Sequence, residues 1–575
     1  MNYNKIPHYI LLSILLCLIK AQDFSPGPYG INYFDIAGPF TIEDLSVRQT
    51  GDLDGNRFID LKDILLYTSY LDGEINFSDE DLNYADINED AGIDILDIIL
   101  GIDKIFNFTP AEWSFEDSWT GQKSYILIPS SSLWQQNLKL ELIQNSPLNV
   151  HYIFLSNLDS NYDEMINLKN EFDIILNELE PNLKAHWLAH LHYSAKKISD
   201  YDDWLSMGLA NRQALGINQS QLLQEVGSLA NPDGFVGNYL SYLAHEALFY
   251  DYEWNIFNED SSTYDEITVF DKEHYTGGWA STISQLIEFP SDEELDNYNG
   301  MAIELLRGCP DANGNYSDQG CDDYDRIARM YICDEDELNC NEIARWITPF
   351  DRQPHHLTDI SSFISMLRPG GNKIVKFQES GWPNSLLTMR FRLYHNTDRD
   401  ETPKEFQSMW VGTIPFNPDF DNNTPPIVFE VPENAVKVEF VSYITGHGWG
   451  CDGFNCAEFC NSKHMFTVNG GVYEFETSYP EANDNDYCME LETIIQGVVP
   501  NQWGTWGYGR AGWCPGQDVH PMATDITSHI SIGDENVIDY NACRVQGNNC
   551  VTPPICQGDG YCPEIAMSSY IIIWY

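Results

Sequence analysis

The chain has 575 residues, and its 88 acidic and 30 basic side chains leave a formal net charge of −58. A charge of this sign excludes a nucleic-acid partner, whose phosphates need a basic surface, and it disfavours anionic membrane surfaces. With 43% hydrophobic and 13% aromatic residues, the chain can fold into several domains and is not of a disordered type.

The first residues have the pattern of a secretory signal peptide. Lys5 and His8 precede an apolar run at 10–19, and Ala21 is a suitable cleavage position. The run is too short for a transmembrane helix, and no other segment is predicted to span a membrane. We therefore predict a signal peptide over residues 1–21 and a secreted protein, extracellular or tethered at a cell surface.

Two acidic loops about 34 residues apart follow, each with an apolar helical stretch after it. Both place oxygen side chains at loop positions 1, 3, 5, 9 and 12, which suits a hard cation that needs several oxygens. The alternative is an acidic solvated linker, but a linker does not place an apolar helix at the same offset twice. The predicted ligands are Asp52, Asp54, Asn56, Asp60 and Asp63 in the first loop, and Asp86, Asn88, Asp90, Asp94 and Asp97 in the second.

This repeated pattern resembles a type I dockerin over residues 48–105. It departs from the usual loop in two ways, because neither loop has glycine at position 6 and both carry Asp at position 12. The resemblance implies two calcium ions and a cohesin-type protein partner.

Residues 112–265 contain no cysteine and read as an α/β module, to which the sequence assigns no function. Apolar runs predict buried strands, and helical periodicity predicts helices. The predicted strands are Ser124–Ile128 and Val150–Leu155, the predicted helices are Glu164–Leu179 and Asp203–Leu215, and Leu183–Ser194 fits either.

From about residue 266, short alternating segments are separated by Gly, Pro and Asn turns, which is typical of antiparallel sandwiches or jelly rolls. We predict two β domains, 266–425 and 426–575, joined by an acidic, proline-rich linker at 415–426. All cysteines beyond Cys17 lie between Cys309 and Cys562, and there are 13 of them. After removal of the signal peptide, we expect disulfides in this half of the chain and at least one unpaired cysteine.

One carboxylate stands between two cysteines, in Cys456-Ala457-Glu458-Phe459-Cys460. A tight turn can bring two such Cα atoms within the roughly 4.4–6.8 Å that a disulfide needs. A disulfide here would fix the direction of Glu458, as a carboxylate with a chemical task requires. The alternative is a structural disulfide that carries an exposed Glu.

Four motifs occur in order along the β region: CDDYDR at 321–326, EIARWITPF at 342–350, CAEFC at 456–460 and YGRAGWCPG at 508–516. Together they resemble the secreted bacterial peptide:N-glycosidases of the PNGase F family over residues 266–575. The resemblance implies two adjacent eight-stranded antiparallel jelly rolls with a cleft at their interface. It also implies cleavage of the amide between an N-glycan and asparagine in a glycoprotein or glycopeptide, with no cofactor for the chemistry.

The resemblance assigns roles to individual residues. Asp325 matches the principal catalytic carboxylate, which acts through a water, and Glu458 and Glu379 match a second and a third. The chemistry is reasonable, because amide hydrolysis needs a base, an acid and charge stabilisation, and neighbouring carboxylates keep one proton between them. The matched substrate-binding residues are Arg326, Arg510, Trp513, Tyr324, Trp382, Trp449 and His447, of which Tyr324, Trp382 and His447 depart from the aromatic pattern of the family.

The family also implies disulfides, and spacing adds one more. By analogy these are Cys309–Cys321, Cys456–Cys460 and Cys488–Cys514, whereas Cys333–Cys340 follows from spacing. The sequence does not pair Cys451, Cys543, Cys550, Cys556 and Cys562.

Three other functions compete with the amidase. The first is a non-catalytic N-glycan-binding protein on the same fold. The second is a copper-dependent monooxygenase of the peptide-amidating type, for which His355-His356 and His464-Met465 are the candidate ligands. The third makes the β domains only a scaffold for the α/β module.

Overall fold

The computed structural model describes residues 23–55, 59–107, 111–129, 136–157, 162–210, 212–227, 242–258, 261–309, 321–381, 384–471 and 473–575. The predicted signal peptide, Asn56 and Trp382 lie outside these residues. Among the helices that are described, none is both long enough and apolar enough to cross a membrane.

The helical module with the acidic loops is inserted into the α/β module. Strand β1 (Thr41–Asp44) pairs antiparallel with β2 (Ala111–Ser114), so the chain leaves and re-enters at neighbouring points. The inserted helices are α1 (Leu61–Leu71), α2 (Asp79–Ala85) and α3 (Ile95–Phe106). The α/β module therefore begins upstream of residue 112, because Phe40 and Ile42 share a core with its strands and the amide of Leu45 donates to the carbonyl of Tyr193.

The acidic loops end in helix caps. Asp60 accepts a hydrogen bond from the amide of Lys62, and Asp63 bonds back to the amide of Asp60, which forms a capping box at the start of α1. Asp94 and Asp97 repeat this arrangement at the start of α3. Loop positions 9 and 12 therefore also set where the two helices begin.

The α/β module is built on a five-stranded sheet in the order β5-β4-β3-β6-β7. Its strands β3, β4 and β5 run parallel, and β3 and β4 are buried throughout, as apolar runs in a parallel sheet should be. Leu215 belongs to a strand instead of the predicted helix, since it pairs with Leu127. The elements are α4 (Phe115–Ser118), β3 (Ser124–Pro129), α5 (Gln136–Asn145), β4 (Val150–Ser156), α6 (Tyr162–Leu176), α7 (Pro181–Leu188), β5 (Leu191–Lys197), α8 (Trp204–Gly208), β6 (Leu215–Ile217), β7 (Leu223–Gln224) and α9 (Tyr242–Phe257).

The third part of the chain is a two-sheet antiparallel sandwich of eight strands. One sheet has the order β13-β10-β15-β8 and the other β12-β11-β14-β9. The strands, with one short helix, are β8 (Tyr264–Tyr275), β9 (Ser281–Phe289), α10 (Asp292–Leu295), β10 (Gly300–Gly308), β11 (Ile327–Cys333), β12 (Cys340–Ile347), β13 (His355–Asp359), β14 (Gly371–Glu379) and β15 (Ser385–Tyr394).

A second sandwich repeats this strand order, with sheets β16-β24-β18-β21 and β17-β22-β19-β20. Strand β23 pairs antiparallel with the end of β22. The elements are β16 (Pro403–Pro415), α11 (Phe420–Asn423), β17 (Ile427–Glu430), β18 (Lys437–His447), β19 (Ser462–Val468), β20 (Tyr473–Ser478), α12 (Leu491–Ile495), β21 (Met522–Asp525), β22 (Glu535–Gln546), β23 (Asn549–Val551) and β24 (Glu564–Trp574). The prediction of a mainly β, multidomain chain with antiparallel sheets is confirmed.

The boundary between the sandwiches lies earlier than predicted. Strand β16 pairs with the last strand, β24, so the second sandwich already begins at Pro403. The predicted linker at 415–426 lies inside it, where Phe416 and Phe420 are buried. The polar, proline-rich composition of the segment gives no sign that these two phenylalanines are buried. Its first residue, Pro415, belongs to the pairing of β16 with β24, which is distant in the chain.

All four expected cysteine pairs form disulfides in the structure, and Cys543 pairs with Cys550 as well. The sulfurs of Cys451, Cys556 and Cys562 lie together, and Cys556 is near enough to form a disulfide with either of the other two. Because a cysteine forms one disulfide at a time, one of the three keeps a thiol. This cluster therefore holds the odd cysteine that the count of 13 requires.

Candidate active site

A cavity of about 960 Å³ opens where loops from both sandwiches meet. Its walls come from the segment before β11, the segment after β12, the loop after β18 and the long connection between β20 and β21. The described residues in the wall are Asp323, Tyr324, Asp325, Phe350, Asp351, Trp449, Asn455, Glu458, Phe459, Asn483, Trp503, Gly504, Thr505, Tyr508 and Arg510.

Two carboxylates and one arginine form the centre of this cavity. Nη2 of Arg510 lies 3.4 Å from Oδ2 of Asp325, and Nε of Arg510 lies 3.6 Å from Oε1 of Glu458. The Arg510 side chain is 2% exposed, against 19% for Asp325 and 13% for Glu458. The cation therefore lies behind the two acids, which face the open volume.

Backbone carbonyls hold Arg510 in this position. Its Nη1 donates to the carbonyl oxygens of Thr505 at 3.1 Å and Tyr508 at 2.6 Å. Its guanidinium carbon lies 5.0 Å from the ring centre of Trp513 and 5.3 Å from that of Phe459. With Nη1 engaged by the protein, Nη2 and Nε are left to face the carboxylates.

The Cys456–Cys460 loop is anchored on both sides of Glu458. The two cysteine Cα atoms are 4.9 Å apart and their sulfurs are bonded. The amide of Glu458 donates to the carbonyl of Gly448 at 3.2 Å, and its own carbonyl accepts from the amide of Ala511 at 2.9 Å. The disulfide and these bonds direct the carboxylate toward Arg510, a partner that the motif by itself did not indicate.

The two acids differ from ordinary surface carboxyls in their proton affinity. Burial, and then the negative charge of Asp325, raise the pKa of Glu458 to about 7, although Arg510 opposes the shift. Burial also raises the pKa of Asp325, with Arg510 again opposing. Because each carboxylate disfavours ionisation of its neighbour, the pair retains a proton at neutral pH more readily than isolated acids would.

Two buried polar atoms at this point have no hydrogen bond. Among the described residues, neither Oδ2 of Asp325 nor Nε of Arg510 finds a partner at hydrogen-bonding geometry. Leaving a buried polar atom unsatisfied costs about 1–3 kcal/mol. Both atoms lie where the charged groups face one another, since Oδ2 of Asp325 faces Nη2 of Arg510 and Nε of Arg510 faces Glu458.

Four of the predicted site residues lie away from the cavity wall. Trp513 is only 7% exposed, its Nε1 donates to the carbonyl of Gly446 at 2.9 Å, and the ring of His447 stacks on it at 5.4 Å. These two rings support the floor under Arg510. The other two, Glu379 and Arg326, are engaged in ion pairs of the first sandwich.

Glu379 is not brought to the centre of the site. Its carboxylate is fully buried and accepts two hydrogen bonds from Arg307, at 2.8 and 2.7 Å. Arg326 pairs with Asp322 at 3.1 Å and lies over the ring of Tyr324. The bidentate pair with Arg307 holds Glu379 outside the cavity wall, so the catalytic role of Glu379 stays a prediction.

Two predicted aromatic residues do line the cavity. Tyr324 is 60% exposed and Trp449 is 51% exposed, so both offer ring faces to a ligand. Further wall residues were not singled out from the sequence, among them Trp503, Phe459 and Asn483. The aromatic and glycine-rich run at 503–509, directly before Arg510, is the signal that could have identified Trp503 and Tyr508.

The copper alternative finds no support in the structure. His355 lies between Glu253 and Glu304, at 3.3 and 3.1 Å, in the first sandwich. His464 is bonded to Tyr540 at 2.7 Å inside the second. In the described part of the chain, the two histidine motifs are thus in different sandwiches, and neither joins a cluster of metal-binding groups.

The first acidic loop brings predicted calcium ligands together. Carboxylate oxygens of Asp52, Asp54 and Asp63 lie within 4.8 Å of one another. In the second loop, Asp86 instead accepts hydrogen bonds from the amides of Asp90 at 3.1 Å and Ala91 at 2.8 Å. Oxygen-only ligands in a turning loop fit a calcium ion, and the first loop has the better convergence.

Comparison with known proteins agrees with the ordered motifs. Residues 415–572 match the family described as "Peptide-N-glycosidase F, C terminal". The chain is 24% identical over 343 residues to peptide-N(4)-(N-acetyl-beta-D-glucosaminyl)asparagine amidase F of Elizabethkingia miricola, a match that covers 55% of this chain and 86% of that protein. The predicted resemblance to the PNGase F family is confirmed, whereas the dockerin resemblance stays a prediction.

Solved structures give a weaker likeness. A recombinant PNGase F is 21% identical, covers 54% of this chain and 95% of its own, and has a TM-score of 0.40. PNGF-II is 13% identical, covers 54% of this chain and 66% of its own, and has a TM-score of 0.39.

Proposed function

Since the C-terminal region of this chain is related to the peptide:N-glycosidase F family, we propose that the protein is a glycoamidase. It hydrolyses the β-aspartylglucosaminyl amide of N-glycoproteins or glycopeptides, releases the intact glycan as a glycosylamine and leaves aspartate in place of asparagine. The observation that carries the proposal is the Asp325–Arg510–Glu458 centre in the wall of a large cavity.

The three side chains divide the chemistry between them. Asp325 takes a proton from a water, whose oxygen attacks the amide carbonyl carbon of the substrate. Glu458 gives its proton to the amide nitrogen as the carbon–nitrogen bond breaks. Arg510 offsets the negative charge of the two carboxyl groups during these proton transfers. The raised pKa of Glu458, about 7, supports its role as the acid, because a substantial fraction keeps its proton at neutral pH, unlike an ordinary glutamate.

The cavity wall supports a sugar-containing substrate. Tyr324, Trp449 and Trp503 expose ring faces, at 60%, 51% and 48%. Aromatic rings combine a large apolar face with a polar edge, which suits the flat apolar face of a pyranose ring. A glycan-binding protein would need this wall as well, but it would not need the two carboxylates at its centre.

The test of this proposal is mass spectrometry of a denatured N-glycopeptide after incubation with the full-length protein in EDTA. We expect loss of the whole glycan and conversion of asparagine to aspartate. Intact glycopeptide that binds would favour the glycan-binding alternative. Intact glycopeptide without binding would contradict both.

The pH dependence of the reaction should reflect the two carboxyls. Above about pH 7, Glu458 loses the proton that the leaving nitrogen needs, so kcat/KM should fall about tenfold per pH unit. On the acid side, activity should be lost as Asp325 is protonated, at a pH above the ordinary range of an aspartate. We expect the Glu458→Gln variant to have lower kcat/KM and no alkaline limb. An alkaline limb that is unchanged in Glu458→Gln would contradict this assignment.

We propose that the two acidic loops bind calcium independently of the amide chemistry. Removal of calcium from the full-length protein should lower the thermal midpoint of the helical module, because an ion at 100 times its dissociation constant contributes about 2.7 kcal/mol. Isothermal titration should give two calcium ions per chain, and Asp63→Ala should remove one of them. Asp72→Ala, outside the loops, is the control. No calcium binding at all would contradict the proposal.

We propose that the helical module docks on a cohesin-type partner. Helices α1 and α3 expose many apolar side chains, which is unusual for a surface without a partner. The exposed residues include Leu61, Leu65, Ile95, Leu96, Ile99 and Phe106, between 50% and 81%.

We also propose that both sandwiches are jelly rolls and that the protein is secreted. The successive crossing of strands between the two sheets of each sandwich supports a jelly-roll interpretation. The disulfides of both sandwiches favour an oxidising compartment, which agrees with the predicted secretion.

A further inference from the structure

Beside the cavity, two exposed aromatic rings form a platform that we call the Trp449–Tyr561 platform. Tyr561 is 70% exposed and Trp449 is 51% exposed. Their ring centres are 6.2 Å apart, with the planes inclined by 49°. Trp449 belongs to the cavity wall, whereas Tyr561 does not, so the pair continues the wall outward.

The platform rests on a rigid support. The amide of Tyr561 donates to the carbonyl of Trp449 at 2.9 Å, and the amide of Gly558 donates to the carbonyl of Cys451 at 2.9 Å. The sulfurs of Cys451, Cys556 and Cys562 also lie together between the two segments. The position of Tyr561 relative to Trp449 is therefore set by the backbone and not only by side-chain packing.

Glycines allow the two segments to approach this closely. A Cβ at Gly560 would lie 2.3 Å from the carbonyl oxygen of Trp449, and a Cβ at Gly448 would lie 2.4 Å from that of Cys562. Any larger residue would push the segments apart and separate the rings. The close backbone contact thus holds two large aromatic residues at the surface, where they contribute little to the core.

We propose that the Trp449–Tyr561 platform is a subsite for the outer saccharides of the glycan, beyond the inner disaccharide attached to asparagine. This inference rests on the proposed glycoamidase function. The reacting bond lies at Asp325 and Glu458 inside the cavity, and a glycan that leaves over the Trp449 wall meets Tyr561 next. Stacking of a pyranose ring on the exposed phenol buries apolar area on both partners.

A peptide flanking the asparagine is the other chain that could lie here, but the platform favours a saccharide. Its exposed surface consists of two ring faces, and its backbone amides at Tyr561 and Gly558 already bond within the protein. An extended peptide needs free backbone donors and acceptors to add to such an edge. A sugar ring can stack on the two aromatic faces without free backbone donors or acceptors.

The test compares two substrates with one peptide, which carries either a full-length N-glycan or the glycan trimmed to its inner disaccharide. For Tyr561→Ala we expect KM to rise about 5- to 10-fold on the full-length glycan, with kcat unchanged. On the trimmed glycan, both constants should equal those of the wild type. Tyr561→Phe, which keeps the ring, should restore most of the affinity.

The control is Leu338→Ala, which truncates another exposed apolar residue, 80% exposed, on the β11–β12 turn. It should leave both substrates unaffected. Equal effects of Tyr561→Ala on the two glycans would overturn the subsite, as would an effect that follows peptide length and not glycan length. If the wild type releases neither glycan, the failure lies in the proposed function instead.

Discussion

The Asp325→Asn variant should lose about 100- to 10,000-fold in kcat/KM, the range that a general base contributes. Asparagine keeps the shape of the side chain but cannot accept the proton of the attacking water. The measurement is the initial rate of glycan release from one glycopeptide under saturating and limiting conditions. The matched control is Asp323→Asn, two residues earlier in the same cavity wall, for which we expect a loss of less than about 10-fold.

The same variant should not be less stable than the wild type. Burial disfavours the ionised form of Asp325, since the pKa of this acid is raised in the folded protein. Removing the charge relieves that cost, so the thermal midpoint should stay equal or rise. It should also lower the pKa of Glu458, because the negative neighbour is lost. Lower activity together with a lower thermal midpoint would indicate a structural role and contradict the assignment.

Of the variants proposed for this protein, Arg352→Met should lower the free energy of unfolding most, by about 3–5 kcal/mol. The reason is that it leaves buried carboxylates without their cation. Arg352 lies in the first sandwich and is buried. It donates to Glu246 of α9 at 2.9 and 3.2 Å, and to the carbonyl of Glu225 at 2.8 Å. It also donates to the carbonyl of Pro500 in the second sandwich. One side chain therefore joins all three large parts of the chain.

Glu246 also connects this junction to the cavity. It accepts from Asn501 at 3.0 Å, and Trp503 and Thr505, which follow shortly, line the cavity wall. Helix α9 and this loop share one apolar core that includes Leu243, Ala247 and Trp506. We therefore expect Arg352→Met to reduce kcat/KM as well, although the residue does not touch the cavity.

The experiment for this junction is thermal unfolding of the full-length protein, followed by circular dichroism, with activity measured at 25 °C. The matched control is Arg368→Met, whose partners Asp292 and Asp296 are 63% and 46% exposed, and which should cost less than about 1 kcal/mol. The double variant Arg352→Met/Glu246→Leu should recover part of the loss, since both charges are removed. Equal effects of the two single arginine variants would contradict the proposed junction.

This junction also bears on the α/β module, for which the sequence assigned no function. The module packs its helix α9 against α12 and the 498–506 segment of the second sandwich. The β domains are thus not a detached scaffold for the α/β module. In this structure the module supports one wall of the cavity.

Local patterns were sufficient for several features. The apolar stretches after the acidic loops indicated α1 and α3, and fully apolar runs located β3 and β4, because these elements depend on neighbours a few residues away. The CAEFC motif predicted the Cys456–Cys460 disulfide, since a tight turn brings the two cysteines together. The ordered motifs selected Asp325, Glu458 and Arg510, which the structure brings together.

Other features depend on contacts between distant residues. Three contacts join segments that are far apart in the chain: β16 pairs with β24, β1 pairs with β2 on either side of the inserted module, and Arg307 forms an ion pair with Glu379. Local composition does not encode these contacts, because burial and strand partners are set only when the whole chain packs. The sequence by itself determined the chemical groups and their local geometry, whereas the tertiary structure decided which of them share the cavity.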